Sequence, residues 1–110
     1  DIRWRIAEAA LLMNAVGPQI RELARDVDAG VDRGRSWMPQ LSAAKNSAAE
    51  ATLRAVEQAM RACGGSAYYN SHELSRLYRD ALAGLFQPSD QESLHAAWAN
   101  LILGPIEKAE

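Results

Sequence analysis

The chain has 110 residues and a formal net charge of −2, with 48% hydrophobic and 24% charged residues, the profile of one globular domain. Alanine fills 21 positions and leucine 12, against 10 for valine, isoleucine and threonine together, which excludes a strand-rich fold. Neither half is strongly basic, no apolar run approaches the ~18 residues of a membrane span, and the single cysteine, Cys63, has no partner for an internal disulfide.

The first predicted helix runs from about Ile2 to Ala29. Ile6, Ala9, Ala10, Met13, Val16, Ile20, Leu23 and Val27 recur at steps of three and four and define one apolar stripe. Gly17-Pro18 interrupts it, and a kink is expected there because proline lacks a donor and crowds the preceding turn. Gly30 fits the C-terminus. Residues 31–38 read as a polar loop, and Pro39 suits the first turn of a second helix that ends at Cys63. That helix carries two apolar faces. One is Ala44, Ala48, Ala51, Ala55, Ala59 and Ala62; the other is Leu53, Val56, Met60 and Cys63. The alanine face admits a close neighbour and is expected to need a partner from outside the chain.

A third helix is predicted from Asn70 or Ser71, with Asn70 and Glu73 as a capping box, and Leu74, Leu77, Tyr78, Ala81, Leu82 and Leu85 on its apolar face. A loop around Gly84–Pro88 ends it. A fourth helix is predicted from Ser89, capped with Glu92, and carries Leu94, Ala97, Trp98, Leu101 and Ile102. The expected architecture is all-α: one domain over 1–110, an antiparallel up-down bundle of four helices.

Few residues suggest chemistry by themselves. His72, His95 and Cys63 lack metal-ligand spacing, and no nucleophile-elbow or phosphate-loop motif occurs. Cys63 reads as a small buried hydrophobe, Gly64-Gly65 as a helix stop, and Arg76, Arg79 and Asp80 as a solvated face. Trp4, Trp37 and Trp98 read as packing residues.

Residues 57–103 carry a more specific pattern. A long helix ends in Gly64-Gly65, an aromatic turn Ala67-Tyr68-Tyr69 follows, and a short helix holds Leu77-Tyr78-Arg79-Asp80-Ala81. Upstream lie Ile6-Ala7-Glu8-Ala9, Asp28-Ala29-Gly30 and Ala44-Lys45. This arrangement resembles the C-terminal helical domain of the acyl-CoA dehydrogenase family. The resemblance implies a piece of a longer flavoprotein, lacking a helical domain, a β domain and the first helix of the bundle. It implies FAD as cofactor, an acyl-CoA thioester as substrate undergoing α,β-dehydrogenation in lipid metabolism, and an electron-transfer partner. It also implies a homo- or hetero-oligomer built through the helices, without nucleic acid or a membrane span, in the cytoplasm. By the same resemblance, Arg61, Gly64, Gly65 and Ser89 bind the cofactor. Gln87 stands where the family usually carries its catalytic glutamate, and an amide is no general base. No catalytic residue is therefore assigned within the chain. Three readings stay open: a base on the missing helix, a degenerate or purely interacting subunit, and a flavin monooxygenase of the same fold.

Overall fold

Asp1 caps the first helix, its carboxylate accepting the Arg3 N–H at 3.0 Å, and α1 (Ile2–Asp28) then runs unbroken through Gly17-Pro18. Pro18 lacks the N–H that would reach back one turn, yet the helix does not split. It ends as the sequence suggests. Gly30 takes φ +67°, its N–H donates to the Val27 carbonyl at 3.2 Å, and the Val31 N–H donates to Asp26 at 2.9 Å, a Schellman stop. The following connection is held by Arg33, which pairs with Asp26 and Glu22 and lies 5.5 Å from the centre of the Trp37 ring. A 310 turn, Gly34–Ser36, leads into α2 (Trp37–Cys63), which starts two residues before Pro39. Proline is tolerated there because the N–H groups of a helix's first turn have no partner within the helix.

A second 310 turn, Gly64–Tyr68, precedes α3 (Glu73–Ala83), and α4 (Gln91–Leu103) follows. The computed structural model describes residues 1–86 and 90–106; among them the fold is all-α, with four helices and no strand. The predicted Asn70–Glu73 capping box is replaced, and Ser89 of the second lies outside the described residues. The Tyr69 carbonyl accepts the His72 N–H at 2.9 Å, closing a turn over Asn70, so His72 becomes the cap and its Nδ1 accepts the Leu74 N–H at 3.1 Å. For α4 the cap is Asp90, whose carboxylate accepts the Ser93 N–H at 2.8 Å.

The helix α2 is the spine. On one side α1 packs against it in antiparallel fashion, with Arg5 donating to Gln58 at 3.0 Å near one end and the Arg33 corner at the other. On the opposite side α3 and α4 follow one another along α2. Tyr78 of α3 donates to Glu57 at 3.4 Å, and Trp98 of α4 donates to the Pro39 carbonyl at 3.0 Å. The antiparallel arrangement thus has three legs, the third made of two short helices.

Packing is thin. The buried apolar residues are Val16, Leu23, Ala44, Ala55, Ala67, Ala81 and Leu94, with no large side chain fully enclosed among the described residues. The expected apolar stripe of α1 is divided: Val16 and Leu23 are buried, whereas Ile6 and Val27 are each 58% exposed, and Met13 and Ile20 also face outward. The alanine stripe of α2 is not left for an outside partner. It is buried or half-buried throughout, and Ala51 lines a groove with Leu12 and Val16 of α1. Small side chains let α1 come close, so the uncovered apolar surface belongs to α1 instead. Cys63, expected in the core, is exposed at the end of α2.

Candidate functional site

The glycine pair owes its shape to the end of α2. The Gly64 N–H closes the helix on the Met60 carbonyl, and Gly64 then adopts φ +78° and ψ −157°, a conformation open essentially to glycine alone. Gly65 is different. Its φ is not left-handed, and a Cβ there would meet nothing within 4 Å, so no neighbour in the chain requires glycine. Ala67, 1% exposed, anchors the turn, while Tyr68 and Tyr69 stand out from it with rings 6.5 Å apart, edge to face. Arg61 lies exposed on the last turn of α2, beside the pair in sequence. A groove of about 450 Å3 opens next to this turn, lined by Met60, Tyr68, Tyr69, Asn70, Ser75 and Arg79. Arg79 is oriented there by the Ser75 hydroxyl at 3.0 Å and Asn70 at 3.5 Å.

The other predicted site residues, Gln87 and Ser89, lie outside the described residues. The ends of their segment are described. Gly84 sits against Ala49, and its carbonyl accepts a hydrogen bond from Lys45 Nζ at 2.7 Å. The carboxylate at the far end, Asp90, is held below the ordinary aspartate range by the Ser93 N–H, then by the Ser93 hydroxyl, with a further contribution from Lys45. Gly84, at the end of α3, thus lies beside Lys45 and Ala49, about 25 Å along α2 from the glycine pair at 1.5 Å per residue. Gly84 and the glycine pair therefore stand at separate points along α2.

The remaining candidates are structural. His72 caps α3, and the Nδ1 of exposed His95 lies 2.6 Å from the Gln91 carbonyl. Arg76 pairs with Glu73 and Asp80 on an exposed face, which lowers the Glu73 pKa through the Arg76 hydrogen bond and charge. No three histidine, cysteine or carboxylate side chains gather in metal-ligating fashion among the described residues. None of their helices is long and apolar enough to cross a membrane. The Lys45–Gly84 hydrogen bond has no signal in local spacing, because it joins positions 39 residues apart.

Residues 1–86 match the family described as acyl-CoA dehydrogenase, C-terminal domain, and the chain belongs to that family. L-evernosamine nitrososynthase of a Micromonospora species is 38% identical over 82 residues, which cover 74% of this chain and 18% of that protein. The match therefore spans a small part of the relative's length. No solved structure matches the chain.

Proposed function

We propose that the chain is the C-terminal helical domain of a flavin-dependent oxidoreductase that oxygenates an amine nitrogen, an amino sugar being the substrate class that the relative suggests. The carrying observation is the 38% identity to a protein named for making a nitroso product. The junction supports it. Gln87 offers an amide, and Asp90, the carboxylate at the described end, is engaged with Ser93 and acidified, which makes it a weak base for the α-proton of an acyl thioester.

The residues present fit a dinucleotide flavin. Gly65 leaves its backbone open where nothing in the chain needs the space, and Arg61 extends a guanidinium that matches a pyrophosphate. Ser89 would hydrogen-bond near the flavin ring, as the family resemblance implies. The family resemblance implies an oligomer in which the glycine turn serves a neighbour's cofactor, and the apolar faces left exposed on α1 support a partner surface. When bound and reduced by an external two-electron donor, flavin delivers one atom of dioxygen to nitrogen and releases the other as water. The chain's share is to hold the cofactor and its pocket in place.

A second reading, acyl-CoA α,β-dehydrogenation with a base outside this chain and an electron-transfer partner, rests on the family's description. One experiment separates them. The full-length protein is purified and its visible spectrum recorded. Acyl-CoA thioesters are then added without oxygen; separately, reduced flavin, oxygen and an amino sugar are supplied. The proposal expects no bleaching by thioesters and amine-dependent oxygen consumption with an N-oxygenated product. Bleaching by a thioester establishes the second reading, and the lack of amine-dependent oxygen consumption with the supplied reduced flavin overturns the first.

A further inference from the structure

We infer that the exposed side of α1 is a self-pairing seam, on which α1 of a second copy of this chain packs antiparallel. The inference deepens the oligomer suggested above by naming its surface and register, and it stands on the geometry of α1 without the flavin reading.

The seam follows a seven-residue period. Ile6, Met13, Ile20 and Val27 recur at that spacing and all are exposed, while Val16 and Leu23 of the same helix are buried. Ala10, Gly17 and Ala24 recur at the same spacing, each four residues after one of the large ones. Ala10 and Ala24 are exposed, and a Cβ at Gly17 would meet only the Arg21 guanidinium, at 2.9 Å, the movable end of a long side chain. A ridge of large side chains thus runs beside a column of small ones, the pattern of a two-helix seam that repeats every 3.5 residues. The two rows complement each other. In one antiparallel register, Ile20 of the second copy lies over Gly17, Val27 over Ala10 and Met13 over Ala24, and the two-fold axis repeats each pair. Small against large in every layer fills the seam evenly and lets the helices approach closely. A parallel pair sets isoleucine on isoleucine and glycine on glycine, which leaves gaps between the large layers. The flanking charges agree with the antiparallel register. Arg21 comes beside Asn14 of the second copy and Asp28 beside its Ala7, so no like charges meet. The area is sufficient. The molecule exposes 8097 Å2, about 2,000 Å2 more than a compact monomer of its mass, whereas a stable interface takes about 800 Å2 from each partner.

The test uses the full-length protein. Gly17→Leu fills the column, and leucine suits a helix better than glycine, so α1 is kept while Ile20 of the second copy is blocked. Ile20→Glu places a charge in the seam. Each variant is expected to weaken self-association by about tenfold, read by sedimentation, with helical content by circular dichroism unchanged. In a Cys63→Ser background, Met13→Cys combined with Ala24→Cys is expected to give a disulfide-linked dimer on oxidation, with the 13–24 link identified by peptide mapping. Met13→Cys alone gives none. Links between two copies of position 13 would show a parallel pair and overturn the register. A monomeric full-length protein overturns the inference by assigning this face to another part of its own polypeptide. An assembly that neither variant weakens removes the seam while leaving the oligomer of the functional reading in place.

Discussion

Individual residues act here mostly through backbone geometry and single hydrogen bonds. Gly64 is the sharpest case, because its φ of +78° with ψ of −157° excludes a Cβ although nothing crowds it. Gly64→Ala is expected to destabilise by about 1–3 kcal/mol, read by chemical denaturation, while Gly65→Ala leaves stability nearly unchanged. Equal losses at both positions would show that the turn itself, and not one torsion, sets the cost. Asp90 supplies a pH dependence. Its folded pKa lies below the ordinary 3.8, so its contribution is present above that value and is lost as pH falls through the lowered one. Asp90→Asn keeps an acceptor for the Ser93 N–H but removes the charge. The melting temperature of the variant is expected to fall less steeply on acidification below about pH 4 than that of the wild type. Parallel curves would assign the acid sensitivity to other groups, Glu73 among them.

At the scale of elements, the contact between α1 and α2 carries the fold. Ala55 is 9% exposed on the alanine stripe of α2. Ala55→Leu overfills that buried position and is expected to cost about 1–3 kcal/mol; an unchanged denaturation midpoint would mean that the packing there has room to spare. Several element boundaries were legible in the sequence, and the ones that were not share a cause. The Gly30 stop was visible because a Schellman motif is local and needs glycine. The start of α2 was misplaced at Pro39 because proline marks a first turn without saying which of its positions it occupies. The start of α3 was misplaced because the choice between Asn70 and His72 depends on the turn closed by the Tyr69 carbonyl. The start of α4 was placed at Ser89, whereas Asp90 is the residue that caps Ser93.

The whole molecule is a slab of 57 × 38 × 23 Å with a radius of gyration of 17.6 Å, where a compact domain of this length has about 13 Å. Its accessible surface is 8097 Å2, against about 6,000 Å2 for a compact monomer of equal mass. The difference is the signature of uncovered faces, chiefly Ile2, Ile6, Met13 and Ile20 on α1 and Ile102, Leu103 and Ile106 at the other end of the chain. The 110-residue chain alone is expected to self-associate at micromolar concentration or to bind an apolar dye strongly, measured by sedimentation and fluorescence. A dye-silent monomer would show that this surface needs no partner.

The glycine pair, the aromatic turn and the short helix after it were readable as a family pattern, because their spacing is set along the chain. The sequence by itself also determined that the protein is helical and roughly where each helix stops, since periodicity and stop signals are local. Only the tertiary structure decided which apolar face each helix covers, because burial depends on what docks there. It covered the alanine stripe of α2 with Ala51 set against α1, left half the α1 stripe outside, and turned Cys63 to solvent. It also set Lys45 against the Gly84 carbonyl at the end of α3, a pairing that exists only when distant segments are folded side by side.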